Sequence, residues 1–203
     1  DMSPLEFYGQ VVKVPLRDYI HLMHTPNHPL GKTFRIQWDR SLIDSGGMTF
    51  VNLAIEDLKA FALKAVLKGE AVWFGGDVGQ DHDRAGYLAP EVIELEALYG
   101  LDLSLDKRAR LVTRDSIPNH AMALIGVDMV KDAEGEARPA KWLVENSWGE
   151  KRGRKGFWTM SDAWFDEYVY SVIVHKSHLP KRVLELLDAE AQDLPYWDPM
   201  WSW

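Results

Sequence analysis

Apolar positions along this chain alternate with polar ones in short blocks, and the blocks predict more strand than helix. Phe7–Val14 and Asp18–Met23 are rich in β-branched and aromatic residues and read as strands. Pro26, Pro29 and Gly31 mark a loop before Phe34–Trp38, whose apolar–polar alternation fits a strand with one buried face. Ser45-Gly46-Gly47 reads as a turn. The period then changes: Val51, Ala54, Ile55, Leu58, Ala62, Ala65 and Val66 fall on one helical face, and Gly69 ends it. Ala71–Gly75 reads as a buried strand. Pro90 and Gly100 bracket a short helix, with proline near its start and glycine just past its end.

The second half carries more strand signals. Ala121–Val127 is a continuous apolar run of strand length, followed by Trp142–Glu145 and Phe157–Met160. Ser161 can cap a helix running to Tyr168, and Tyr170–His175 alternates again. Pro180 begins a last amphipathic helix to about Ala191. The runs at 120–127, 142–145, 157–160 and 170–175 are expected in one antiparallel sheet, with the 51–68 helix on one face. No internal repeat or linker divides the chain. It reads as one α+β unit over residues 1–192 and an extended arm over 193–203.

Composition narrows the class. At 203 residues, 46% hydrophobic and 27% charged, the chain can bury a sizeable core and is neither disordered nor a coiled coil. Its net charge of −8 repels nucleic acid and anionic lipid, so neither is an expected partner. No apolar run approaches the roughly 18 residues of a membrane span. Cysteine is absent from the sequence, which removes disulfides, thiolate metal sites and any cysteine nucleophile within it. The first residue is Asp1 and no charged-then-apolar leader follows, so the chain reads as processed or as part of a longer polypeptide. Of its nine tryptophans, Trp197, Trp201 and Trp203 crowd the carboxy-terminal end, which is too apolar to stay in water and is expected to dock in a groove.

Candidate chemistry centres on His120, at the start of a buried strand, and Asn146, just after another. A histidine acting as a base needs its second ring nitrogen held by a fixed acceptor, and an uncharged amide oxygen can hold it without locking the ring as imidazolium. Trp148 can cover that bond from water. His21, His24 and His28 have a spacing that raises metal binding. Prolines interrupt the segment, however, and no helix aligns the first two, so neither a metal nor another cofactor is expected. Lys151–Lys155 reads as a solvated turn. Asp77, within Gly75-Gly76-Asp77-Val78-Gly79, reads as a tight turn, because no Gly-Lys-Ser/Thr follows to make a phosphate loop.

These residues carry a resemblance. Asn119–Val127, Trp142–Gly149 and Gly156-Phe157-Trp158 resemble the His and Asn segments of a papain-like cysteine peptidase. Ala71–Gly79, Met160–Tyr170 and Pro195–Met200 narrow the likeness to the bleomycin hydrolase / aminopeptidase C family, over nearly the whole chain and in the family's order. The resemblance implies the antiparallel, β-rich, His/Asn-bearing half of a papain-like fold, with flanking helices and a carboxy-terminal arm. The nucleophilic cysteine and the oxyanion-hole glutamine of that family lie upstream, in a half absent here. Gly76 stands where relatives often carry cysteine, which reads as a packing change.

The resemblance further implies a cytoplasmic aminopeptidase, hexameric when intact, that cleaves peptides through a thiolate. In it His120 would be the base, Asn146 its orienter and Trp148 their support. The carboxylate of Trp203 would pair with the substrate's amino-terminus. The alternative is a non-catalytic fragment that binds peptides without cleaving them.

Overall fold

The computed structural model describes residues 1–40, 47–90 and 95–201. Its strands are β1 (Tyr19–Met23), β2 (Lys32–Ile36), β3 (Thr49–Asn52), β4 (Val72–Gly76), β5 (Tyr87–Leu88), β6 (His120–Lys131), β7 (Ala137–Glu145), β8 (Phe157–Ser161), β9 (Val169–His175) and β10 (Gln192–Leu194). Helices α1 (Pro4–Phe7), α2 (Ile55–Leu67), α3 (Leu95–Tyr99), α4 (Lys107–Thr113), α5 (Asp162–Tyr168) and α6 (Lys181–Leu187) lie between and around them. All the strands join one sheet in the order β10-β2-β3-β1-β9-β4-β6-β7-β8-β5.

The centre of that sheet is antiparallel from β1 through β9, β4, β6 and β7 to β8. The four expected strand runs all lie there, although β4 separates β6 from β9. Parallel pairs occur at β1–β3, β10–β2 and β5–β8. Alternation puts Val72, Phe74, Leu124, Val144, Met160 and Val172 on one face, where Leu58, Ala62 and Ala65 of α2 close the main core over them. A smaller core on the opposite face gathers Met23, Phe34, Ile36, Phe50, Leu111, Tyr170, Leu194 and Met200.

Several elements differ from the sequence expectation, each for a physical reason. Residues 7–12 are helical rather than extended, and Lys13, at φ +54°, ends the helix. Ser3 and Glu6 form a reciprocal capping box, with Pro4 in the first turn, so the chain is nucleated as helix before the β-prone run begins. Val51 belongs to β3 and not to the following helix, because its backbone pairs with both Leu22 and Thr33. The last helix ends at Leu187, where the Leu186 carbonyl accepts from Thr33 Oγ1, and residues 192–194 then add an edge strand beside β2. The arm boundary at 192/193 thus falls inside β10. The start of the helix bracketed by Pro90 and the Ser45-Gly46 part of the predicted turn lie outside the described residues.

Helix α4, for which the sequence carried no expectation, is strapped to the end of α5. Lys107 Nζ donates to the Asp166 and Val169 carbonyls at 2.7 and 2.6 Å and sits 4.7 Å above the Tyr170 ring. Arg110 pairs with Glu167. Burial pulls the Lys107 ammonium down to about 7, the nearby Glu167 and Asp166 opposing it. A lysine whose folded pKa lies below its unfolded value binds fewer protons when folded, so its burial cost is relieved as pH rises. Between pH of about 7 and about 10.5 the protein should gain stability relative to Lys107→Met, by up to about 1.4 kcal/mol per pH unit in urea unfolding. A difference that is flat across that window would contradict the assignment.

Candidate active site

Strand pairing brings the His120 and Asn146 segments together. Residue 120 opens β6 opposite Gly76 of β4, and Asn146 follows β7, whose last residue, Glu145, pairs with Ala123 of β6. The side chains, 26 positions apart in sequence, meet with His120 Nε2 2.8 Å from Asn146 Oδ1. The Ser147 backbone N–H also donates to Oδ1, at 2.7 Å, which identifies that atom as the amide oxygen. An oxygen can only accept, so Nε2 carries the proton and Nδ1 is left with a lone pair. The arrangement can therefore take up a proton at Nδ1 while the ring stays in one orientation.

Around this bond the site is built from aromatic packing and tight backbone. The Trp148 ring lies 4.7 Å from His120, inclined by 31°, and Trp158 meets Trp148 edge-on at 5.5 Å. Trp148 itself is 43% exposed, so it screens the bond from one side without sealing the site. The basic Lys151–Lys155 run is a compact exposed loop that returns to the site: the Asn146 N–H donates to the Gly156 carbonyl at 3.1 Å. Gly153 has φ +59°, and a Cβ there would stand 2.5 Å from the Phe157 carbonyl oxygen and 2.9 Å from the Trp158 indole. Only glycine lets this loop close on the tryptophan that backs the site.

Asp77 and Asn119 do more than the sequence reading allowed. Asp77 is buried, and its Oδ1 accepts from the Gly79 N–H at 3.0 Å and from the Asn119 amide, while Oδ2 accepts from the Ile117 N–H at 3.2 Å. Asn119 Oδ1 accepts from the Val78 N–H at 3.0 Å, and its backbone N–H donates to the Gly76 carbonyl. One carboxylate thus ties the 77–79 turn to the residues leading directly into His120. The available signal was composition alone: a buried Asp in a turn and an Asn adjoining the histidine. Gly76 is tightly enclosed, with an added Cβ falling 2.8 Å from the Tyr168 carbonyl oxygen and 3.2 Å from Trp164.

The three histidines of the metal reading do not converge. His21 lies edge-on to Trp73, 6.2 Å away. His24 Nδ1 meets the Leu53 carbonyl at 2.8 Å, and His28 Nε2 meets Asp198 Oδ2 at 2.6 Å. Among the described residues no cluster of three or more His, Cys, Asp or Glu could hold a metal ion. Trp203 lies outside the described residues. The arm before it is anchored, with Leu194 and Met200 buried in the smaller core and the Trp197 carbonyl accepting from Arg114 Nη2 at 3.0 Å.

Comparison with known proteins follows the same lines. The family model described as Peptidase C1-like family matches residues 1–201. The chain is 41% identical over 201 residues to Aminopeptidase G of Lactobacillus delbrueckii subsp. lactis, covering 98% of this chain and 45% of that protein. It is 38% identical over 204 residues to Aminopeptidase C of Streptococcus thermophilus, covering 99% and 45%. A crystal structure of PepW from Lactobacillus rhamnosis HN001 matches with a TM-score of 0.91 at 36% identity, over 98% of this chain and 45% of that one. The chain spans less than half the length of these relatives.

Burial lowers the pKa of both His21 and His24 to about 4, with Lys107 adding to the effect at His24 and the Leu53 hydrogen bond opposing it. A histidine held neutral by the fold is protonated more readily when unfolded, so stability present near neutral pH drains away as pH falls from about 6.5 to about 4. Replacing His21 with Phe should make that acid loss shallower by up to about 1.4 kcal/mol per pH unit in urea unfolding. An unchanged acid limb would show that His21 is not held neutral.

Proposed function

Because the chain belongs to the Peptidase C1-like family, we propose that it is the His/Asn-bearing half of a cysteine-type aminopeptidase of the bleomycin hydrolase kind. The observation that carries this reading is the His120–Asn146 bond, which holds Nε2 and leaves Nδ1 to act on a partner. In the proposed reaction Nδ1 takes the proton of a cysteine thiol, and the thiolate attacks the scissile carbonyl of a peptide. The imidazolium then gives the proton to the leaving amine, and water releases the acyl group in a second, mirrored step. Asn146 keeps the ring in register through both steps, and Trp148 limits competition from water.

The thiol has to come from outside these residues, since the sequence contains no cysteine. A row of side chains on the face opposite α2 supports a missing half packed there. His21, Ile173, Trp73 and Ala123 are paired in register across β1, β9, β4 and β6. Trp73 in that row is 40% exposed, and Leu143 of the neighbouring β7 is 43% exposed. Such a strip is a natural seat for the remainder of a chain whose relatives are more than twice as long. The arm is proposed to end in the cleft, where the terminal carboxylate of Trp203 pairs with the α-ammonium of the peptide and so restricts cleavage to amino-terminal residues.

The absence of cysteine also favours a second reading, a peptide-binding piece without catalysis. Aminopeptidase assays separate the two. The isolated chain should read as buffer, whereas the full-length polypeptide that carries it should hydrolyse a free-amine aminoacyl anilide. There, His120→Ala should lower kcat by about 10²–10⁴-fold with the protein still folded by circular dichroism. No thiol-dependent turnover by the full-length polypeptide would leave the binding reading.

A further inference from the structure

The arm does not simply trail from the sheet; its course is set by one hydrogen bond between an imidazole and a buried carboxylate. After β10 the chain turns at Asp198, whose side chain is only 4% exposed and whose two carboxylate oxygens are both used. Oδ1 accepts from the Met200 N–H at 3.0 Å, holding the short helical turn Pro199–Trp201. Oδ2 lies 2.6 Å from His28 Nε2. The short separation joins the imidazole and the carboxylate in a single hydrogen bond.

His28 is in turn held rigidly. It belongs to the loop between β1 and β2, and the fully buried Asn52 side chain organises that loop from within. Asn52 Oδ1 accepts from the Thr25 N–H at 2.8 Å, and Nδ2 faces the carbonyls of Thr25, His28 and Pro29 at 3.1, 3.2 and 3.1 Å. The imidazole also lies against Phe34, its centroid 5.3 Å away and its plane tilted by 39°. The far side of the arm is held by Arg114, through the Trp197 carbonyl. Met200, fully buried, packs in the core that contains Leu111 and Tyr170, and the Tyr170 hydroxyl meets Ser116 Oγ at 2.9 Å. Ser116 begins the run into His120. The described end of the arm therefore packs against the stretch that leads into His120.

We infer that His28 and Asp198 form a latch that fixes where the arm ends, and so act as positioning residues for the choice between free and blocked peptide amino-termini. The inference rests on the proposed pairing of the arm's terminal carboxylate with the substrate ammonium. A fixed carboxylate selects a register; the same carboxylate on a loose arm is a solvated anion that neither pairs well nor obstructs a longer chain. Loss of the latch therefore loosens specificity: KM for free-amine substrates rises and peptides blocked at the amino-terminus gain entry. His28→Gln retains an N–H donor at about the reach of Nε2 and keeps the latch, whereas His28→Ala removes it. Asp198→Asn leaves Oδ1 for the Met200 N–H while discarding the charge.

The test uses the full-length polypeptide that carries this chain, with leucyl-4-nitroanilide and N-acetyl-leucyl-4-nitroanilide as paired substrates. Four variants are compared with the parent: His28→Ala, His28→Gln, Asp198→Asn and a deletion of residues 201–203. The ratio of kcat/KM for the free over the acetylated substrate should fall at least tenfold in His28→Ala and in the deletion. It should fall by an intermediate factor in Asp198→Asn and stay within about threefold of the parent in His28→Gln. A merely structural role would lower both substrates together and leave the ratio in place, which overturns the latch. If the deletion loses the preference and His28→Ala and Asp198→Asn keep it, the latch is wrong and the carboxylate anchor stands. If the deletion keeps the preference, the anchor falls and the latch with it. Should His28→Ala fail to fold, Asp198→Asn and His28→Gln alone still decide the matter by their ratio.

Discussion

An imidazole becomes a directed base only when one of its nitrogens is committed elsewhere, and in this chain Asn146 takes that nitrogen. The amide oxygen is itself pinned by the Ser147 N–H, so the choice of tautomer is made by backbone geometry. Much of the surrounding structure keeps those atoms in place. β6 and β7 pair so that the start of one adjoins the end of the other, the Gly153 loop closes on Asn146 from below, and the two tryptophans limit the room for the ring to turn. For the proposed base a neutral amide suits this role better than a carboxylate would, because it holds the ring without stabilising an imidazolium.

Asp77 is the second fixed point. A buried carboxylate is costly unless its oxygens are satisfied, and here three donors from the turn and from the approach to His120 satisfy it. The result joins β4 to the entry of β6 at the position where the histidine emerges. The same economy recurs at Asn52, whose amide organises the loop carrying His28, and at Lys107, whose ammonium caps the carbonyls at the end of α5. Each is a polar group buried where two segments distant in sequence must hold a set relation, and each is expensive to leave half-satisfied.

The two faces of the sheet serve different ends. Under α2, alternate residues of the central strands form a continuous core that supplies most of the burial. The other face carries a smaller core at one end, closed by Leu194 and Met200 of the arm, and a row through His21, Ile173 and Trp73 that is exposed at Trp73. The proposed missing half would cover that open face. Completing such a site from another stretch of polypeptide places the nucleophile and the base on separate supports.

The central strands, the α5 cap at Ser161, the face of α2 from Ile55 onward and the pairing of His120 with Asn146 were all legible in the sequence. Period-two alternation and capping are local effects that act within a few residues, and the His and Asn motifs lie at strand ends that a hairpin brings side by side. Most of what sequence reasoning missed was decided at a distance. Val51 has a helical spacing, yet it is a strand residue because β1 and β2 offer its backbone partners on both sides. One miss was local: residues 7–14 have strand composition, yet the capping box at Ser3 and Glu6 starts a helix that runs to Val12. The three histidines shared a metal-like spacing, and tertiary packing gave them an aromatic contact, a backbone carbonyl and a carboxylate of the arm instead. Propensity and periodicity describe what a segment can become; which partner satisfies a buried N–H, ring nitrogen or carboxylate depends on chain 20 to 170 residues away, and only the closed sheet brings that partner within 3 Å.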